Sequence, residues 1–478
     1  MSIFIGPVSG KRLLQNEIPE QVPRPGFSHT PGCVKYSFEY LNDRYLFFAK
    51  IEELVPYMHD ASTRTALMNT AERMYNLIGY GIFVVIQNGA IKSWYPFANQ
   101  EKVKPGTEHL SAEDLGEYME KKSRLDDDKI RRKYLTRSTT AGWSLSQCIM
   151  FYWEDWWKGK ELYVNIYYDM ISNTLSNRAD KVKDCVFFIN LFDQPVITKS
   201  VCNYYVHEET LCSLSEVNEN AGKFITVFSG ATTKYHQDAC MVYADAWEIA
   251  SHKKFDPKCR DWYSNTDVTT DWNKKLNKIV FRGRNSSCHP NDPDKNPRIK
   301  VLRAFREIES EFNKENEDAG SNFFDVGFSD YTDNVLVEYD NFTSSDPSVI
   351  ESFVGPKKHK MSMIEQSKCR FVLDIDGYVT PWRLVFELSY GSCIILIKSK
   401  YYSWFYDKLE HMKNVVIIDQ DLEFDALKQT ILRTLLELYQ NQSKAREIGA
   451  NARRLYADIS RADSVYDYMV QALNQTVA

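Results

Sequence analysis

From Ile279 onward the chain alternates short, uninterrupted apolar runs with helical stretches, and this rhythm restricts the fold more than any other feature. The runs at 279–281, 323–328, 334–338, 369–374, 393–398 and 415–418 read as strands; 298–314, 381–390, 424–440 and 443–456 read as helices. Val182–Leu191 is a further continuous apolar run, followed by a shorter one at 224–228. A strand that is apolar on both faces needs cover on both, which favours a mostly parallel sheet. Alternating strands and helices then build a doubly wound α/β domain whose ligands sit at the C-terminal ends of the strands. A last helix at about 460–474 carries Val465, Tyr468, Met469 and Leu473 at helical spacing.

The N-terminal half reads differently. Pro19, Pro23, Pro25 and Pro31 break up the start, leaving an irregular arm with a short aromatic strand pair over Tyr36–Ala49. Residues 62–78 read as a helix capped by Ser62. Ile82–Ile86, Asn88-Gly89 and Ala90–Tyr95 form a β-hairpin signal, because Asn-Gly suits a type I′ turn. Residues 111–136 read as a charged, solvated helix, and the aromatic stretch 144–158 continues as helix through 161–178. The polar segment 253–275 reads as a connection between domains. At 478 residues the chain exceeds one simple core, so two domains are expected, or three.

Composition excludes several classes. With 43% hydrophobic and 26% charged residues the chain is ordinary for a globular protein, and a net charge of −6 gives no broad attraction to nucleic acid. No apolar run approaches the roughly 18 residues of a membrane span. The first residues lack the pattern of a secretory signal, and the last lack an ER-retention tail. None of the ten cysteines forms a CxxC pair, so free thiols in a reducing compartment are expected rather than a zinc site.

Five places carry candidate chemistry. Asp193 follows an apolar strand and precedes Pro195; a carboxylate there faces the crevice of an α/β sheet and can act as a general base, or it simply forms a turn. The run Phe281-Arg282-Gly283-Arg284-Asn285-Ser286-Ser287 ends a strand in backbone N–H groups, guanidinium forks and hydroxyls, the donors a diphosphate or ribose needs, although an ordinary strand–turn has the same look. Arg298 at the next helix start can reach the same pocket or face solvent. Arg383 follows Pro381 in the first turn of a helix, where a cation opposes the macrodipole unless an anion shares the site. Asp374-Ile375-Asp376 is a DxD after a strand, suited to a divalent cation across a diphosphate, while Asp376-Gly377 is equally good turn chemistry.

Over roughly residues 182–473 the chain resembles glycosyltransferase family 90, the Rumi-like protein O-glucosyltransferases grouped with capsule-associated xylosyltransferases and KDEL-motif proteins. Ile189-Asn190-Leu191-Phe192-Asp193-Gln194-Pro195 is similar to the family's hydrophobic-Asn-x-x-Asp-x-Pro element, with Phe192 where the family has arginine. Phe228-Ser229, Asp238 and Ala246-Trp247 match its next segment. Phe281–Ser287 resembles its Phe-Arg-Gly-Ser-x-Thr-Ser loop, with Arg284-Asn285 departing from the usual order. Asp376-Gly377 through Thr380 to Trp382-Arg383 resembles its Asp-Gly…Arg element, and Gly391-Ser392 the Gly-Ser strand that follows it.

The resemblance implies a GT-B-like α/β architecture, two Rossmann-like domains facing across a cleft. It divides the chain into an N-terminal extension with helix and β-hairpin (1–135) packed on the acceptor domain, an acceptor-side domain (136–270), a UDP-sugar-binding domain (271–458) and a C-terminal helix (459–478) crossing back. It implies inverting transfer of glucose or xylose from a UDP-sugar to a hydroxyl of a protein or glycan, with Asp193 as base. UDP-sugar would be held by Arg282, Gly283, Arg284, Asn285, Ser286, Ser287, Arg298, Asp376, Gly377, Thr380 and Arg383, and the acceptor side would include Asp238 and Trp247. No cofactor and no metal are implied, and the oligomeric state stays open. Such sequences also occur in large DNA viruses, so the setting expected is the cytoplasm, a virus factory or the virion. Two alternatives remain: a metal-dependent transferase using Asp374 and Asp376, and a catalytically inactive relative serving as a binding or virion protein.

Overall fold

The computed structural model describes residues 36–100 (save 42, 57 and 59), 145–200, 216–255 (save 254), 271–287, 295–315, 323–330 and 347–476. The expected charged helix at 111–136, the strand at 334–338 and most of the 253–275 connection lie outside these residues.

The first unit is built on a six-stranded sheet in the order β1-β3-β2-β4-β5-β6: β1 (Glu39–Leu41), β2 (Tyr80–Gln87), β3 (Ala90–Asn99), β4 (Cys185–Ile189), β5 (Val227–Ser229) and β6 (Ala239–Cys240). The hairpin β2–β3 is turned by Asn88 and Gly89, both at positive φ (52° and 70°), as a type I′ turn requires. It is not part of an extension packed on the acceptor domain. β2 pairs antiparallel with β3 on one side and β4 on the other, and Ile82–Ile86 are fully buried, so the hairpin forms the middle of the sheet. The apolar run at 182–191 therefore sits in a mixed sheet, antiparallel to β2 and parallel to β5.

Helices cover this sheet: α1 (Arg44–Leu54), α2 (Ala61–Arg73), α3 (Leu145–Arg178) and α4 (Ala244–Ser251). The second strand expected within Tyr36–Ala49 is instead the start of α1. Asp43 caps it by accepting from the Tyr45 N–H, and Phe47 and Ile51, four apart, share its buried side. Asp60, not Ser62, caps α2, accepting from the Thr63 N–H at 2.6 Å. The two helical stretches at 144–158 and 161–178 are one helix, α3.

The second unit has the architecture expected of it, a five-stranded, all-parallel sheet in the order β11-β10-β9-β7-β8. Its strands are β7 (Leu276–Gly283), β8 (Phe324–Phe328), β9 (Cys369–Ile375), β10 (Cys393–Lys398) and β11 (Val416–Asp419). The helices are α5 (Pro297–Glu315), α6 (Pro347–Val354), α7 (Met363–Ser367), α8 (Leu384–Glu387), α9 (Phe424–Gln440), α10 (Gln442–Ile459) and α11 (Ala462–Leu473). α9 buries Leu427, Ile431, Leu435 and Leu438 on one stripe against α5 and β11.

α11 crosses back to the first unit. Arg178 of α3 binds Asp463 and Asp467 at 2.9 and 3.0 Å, and Tyr466 packs on Trp247 of α4. The two α/β units face one another across a cleft, with the C-terminal ends of β4 and of β7 and β9 at its walls. Among the described residues no helix is long and apolar enough to cross a membrane.

Candidate active site

On the first unit, the cleft wall begins where β4 ends. Asn190 turns the chain there: its Oδ1 accepts from the Phe192 N–H at 2.8 Å, and its Nδ2 donates to the Gln194 carbonyl and Ser229 Oγ at 2.7 and 2.9 Å. This asparagine-centred turn lifts Asp193 out of the ladder and leaves it exposed on the cleft. Lys160, Tyr163 and Tyr167 of α3 and Tyr243, Ala244 and Asp245 at the start of α4 complete that wall.

The opposite wall comes from β7, the start of α5 and the segment after β9. Gly283, Arg284, Ser286, Arg298, Gly377, Thr380 and Arg383 line it, together with Tyr378 and Trp382. Asn296 caps α5 by accepting from the Arg298 and Ile299 N–H groups, and donates its Nδ2 to the Asn285 carbonyl at 2.7 Å, tying the β7 loop to the helix. Arg298 is fixed by its donors: Nε and Nη2 reach the Ile375 carbonyl at 3.2 and 3.0 Å, and Nη1 the Arg284 carbonyl at 2.9 Å. Gly377 leaves the room this requires, since a Cβ there would lie 3.0 Å from Arg298 Nη2 and 3.2 Å from the Ser286 carbonyl oxygen.

Arg383 is held from behind. Its Nε donates to Asp374 Oδ1 at 3.1 Å and lies 3.3 Å from Glu387 Oε1, while Nη1 donates to the Arg282 carbonyl at 2.8 Å. Both arginines pack over the Phe281 ring, at 5.3 Å for Arg383 and 6.0 Å for Arg298. Burial and then the like charge of Arg383 lower Arg298 to about 10. Burial also works against the charge of Arg383, but the Asp374 and Glu387 carboxyls more than offset it and hold that guanidinium above its usual range, so the repulsion is felt at Arg298. The conflict with the helix dipole at Arg383 is answered locally by Glu387, one turn on.

The cleft has a volume of about 570 Å³ and holds Asp193 and Arg383 on facing walls. The units touch across it, with Tyr243 Oη and Thr380 Oγ1 2.5 Å apart.

Several residues read from the sequence as ligand contacts lie elsewhere. Arg282 is buried in the second unit, donating to the His359 and Asp325 carbonyls and pairing with Asp325 Oδ1 at 2.7 Å. Asn285 and Ser287 are buried and do not line the cleft. Asp376 is behind the wall, engaged by Ser399 Oγ at 2.5 Å, and burial raises it to about 7. Asp374 and Glu387 are likewise raised by burial, and Asp374 is committed to Arg383. The DxD carboxylates therefore hold the wall from within rather than face the cleft. Asp238 is a buried brace in the first unit, accepting from the Val196 and Ile197 N–H groups and Ser229 Oγ, and Trp247 donates its indole N–H to Asp169 at 2.9 Å. Among the described residues no cluster of three or more His, Cys, Asp or Glu is placed to hold a metal ion.

Sequence reasoning passed over Lys160, Tyr163, Tyr167, Tyr243 and Tyr378. Tyr243 had a local signal, sitting at the cap of α4 just after an apolar run. The α3 residues had none, because only the packing of a 34-residue helix brings them to β4.

Residues 328–476 match the family model for Glycosyl transferase family 90, the family the sequence resembles. The chain is 23% identical over 456 residues to uncharacterized protein 179R of Invertebrate iridescent virus 6, covering 85% of this chain and 36% of that one. It is also 23% identical over 450 residues to uncharacterized protein 035R of Invertebrate iridescent virus 3, covering 89% and 38%. The chain thus spans little more than a third of the length of these curated relatives. Solved structures that it is similar to include TarM (TM-score 0.33, 13% identity, 66% of this chain and 58% of that one). Another is Anabaena Alr3699/HepE in complex with UDP (TM-score 0.26, 11% identity, 66% and 76%).

Proposed function

We propose that the protein is an inverting glycosyltransferase that moves glucose or xylose from a UDP-sugar to a hydroxyl of a protein or glycan. The observation that carries this is the facing pair of walls: an exposed carboxylate, Asp193, across one cleft from two mutually repelling arginines, Arg298 and Arg383. The family match over residues 328–476 supports the same reading, and the viral origin of both relatives supports a virus-associated setting.

In the proposed reaction the acceptor hydroxyl gives its proton to the Asp193 carboxylate as its oxygen attacks the anomeric carbon. The bond from that carbon to the diphosphate oxygen breaks on the opposite face, and its electron pair leaves with UDP, so the configuration inverts. Arg298, Arg383 and backbone N–H groups at Gly283, Arg284 and Ser286, the loop residues that line the cleft, stabilise the leaving charge. A fixed donor aimed at developing charge contributes about 3–4 kcal/mol. Asp374 and Asp376, committed to Arg383 and Ser399, leave that role to the arginines, and the reaction proposed uses no divalent cation.

The test is a donor screen measuring UDP release from UDP-glucose, UDP-xylose, UDP-galactose and UDP-N-acetylglucosamine, repeated with EDTA. Asp193→Asn should lower kcat by at least about 10²-fold while leaving UDP affinity unchanged. A near-wild-type rate would remove Asp193 from the chemistry.

A further inference from the structure

Lys160 stands where no local motif points, yet its ammonium reaches the turn that carries Asp193. It projects from α3 with its ammonium donating to the Leu191 carbonyl at 2.6 Å, two residues before Asp193. The same ammonium lies 5.6 Å from the centre of the Tyr80 ring on β2 and 5.8 Å from that of Tyr163 on its own helix. Lys160 and Asp193 both line the cleft and attract one another electrostatically. The segment 190–194 is irregular, held by Asn190 from inside and by Lys160 from the cleft side.

We propose that Lys160 is the positioning residue for Asp193: its ammonium anchors the Leu191 carbonyl and draws the carboxylate toward the site of proton transfer. This rests on the transfer reading above. A neutral amine still donates, but the charge-assisted bond to the Leu191 carbonyl and the pull on Asp193 need the ammonium. Burial lowers the Lys160 pKa below that of a surface lysine, with Asp193 opposing the shift, so the charge is lost at a lower pH than usual. The titratable and charged groups around it are Asp193 on the turn, Tyr80 on β2, Tyr163 and Tyr167 on α3, and Tyr243 and Asp245 at the start of α4. Arg284, Arg298 and Arg383 face it from the second unit. As the pH rises and Lys160 loses its proton, the anchor weakens and turnover falls. A guanidinium at this position stays charged and carries that limb to higher pH.

The experiment compares Lys160→Met and Lys160→Arg with the wild-type chain, using hydrogen exchange of the 188–194 peptide and the pH profile of UDP release. Lys160→Met should speed exchange in that peptide by roughly tenfold and lower kcat by about 10–10²-fold, with UDP affinity unchanged, since catalytic misplacement of this size costs about that much. Lys160→Arg should restore protection and shift the alkaline limb upward. If Lys160→Met melts like the wild type and leaves both exchange and turnover unchanged, the proposal is overturned. If Lys160→Met lowers turnover while Lys160→Arg leaves the alkaline limb in place, the charged anchor is overturned. A wild-type chain inactive with every donor, in which Lys160→Met still speeds exchange, would refute the transfer reading and leave the anchor standing.

Discussion

Arg383 supports the structure as well as the cleft, and Arg383→Met separates the two roles. Its guanidinium stands between two buried carboxyls, Asp374 at 3.1 Å and Glu387 at 3.3 Å, whose side chains are 0% and 2% exposed. Methionine keeps the packing over Phe281 but removes the counter-charge. Breaking a buried pair from one side costs about 3–5 kcal/mol, because the remaining charge is left without compensation. For a unit of about 200 residues this is roughly 6–20 °C in Tm. Both carboxyls are already raised by burial, so protonation is their way out. A carboxyl with a raised native pKa binds more protons folded than unfolded, so its stabilising effect is present at low pH and is lost as the pH climbs through the native value. The deficit of Arg383→Met should therefore be larger at pH 8 than at pH 5.5, and Arg383→Met/Glu387→Gln should recover part of it at pH 8. Thermal unfolding followed by tryptophan fluorescence at both pH values measures this. A loss below about 1 kcal/mol, the same at both, would refute the reasoning that Asp374 and Glu387 depend on Arg383.

Asp376, raised to about 7 by burial, should make wild-type Tm fall between pH 5 and pH 8, and Asp376→Asn should flatten that slope in the same melts. Gly377→Ala must displace the Arg298 guanidinium by a few tenths of an ångström, so calorimetry should show UDP affinity weakened by about tenfold with Tm nearly unchanged. In Gly449→Ala the new Cβ would run into the Gly391 carbonyl, forcing α10 off the loop before β10; a loss of about 1–3 kcal/mol is expected in thermal unfolding.

Where a local signal was strong, the elements were legible. β10 and α9 occupy the ranges their patterns indicated, 393–398 and 424–440, because a short isoleucine-rich apolar run and a long single-stripe helix leave little choice. The misread strand after Tyr36 was aromatic in composition but helical in period, and packing of Phe47 and Ile51 decided it. At the site the limit was tertiary. Arg282 has the same donors as Arg298, yet Asp325, far away in sequence, takes one inward while the Ile375 carbonyl fixes the other at the cleft. Asp376 read as a cleft carboxylate because it follows a strand, and Asp238 because the family resemblance implied an acceptor-side role. Both turned inward to satisfy N–H and O–H groups that their loops would otherwise bury without partners.

The assembly of the site follows from how the two units are tied. Thr232, after β5, and Tyr402, after β10, exchange backbone hydrogen bonds at 3.0 and 2.9 Å, a two-bond bridge between units. Tyr468 of α11 donates to the Cys240 carbonyl at 2.9 Å close to that bridge, and Tyr243 meets Thr380 within the cleft itself. Gly230 has no side chain because the Tyr243 ring occupies that space; a Cβ there would lie 2.6 Å from the ring. Tyr243 and Thr380 line the same cleft as Asp193 and Arg383, so the separation of the two walls is set by packing between the units rather than by either unit alone. The base proposed on one unit and the arginines proposed on the other can work as one site only while those contacts hold.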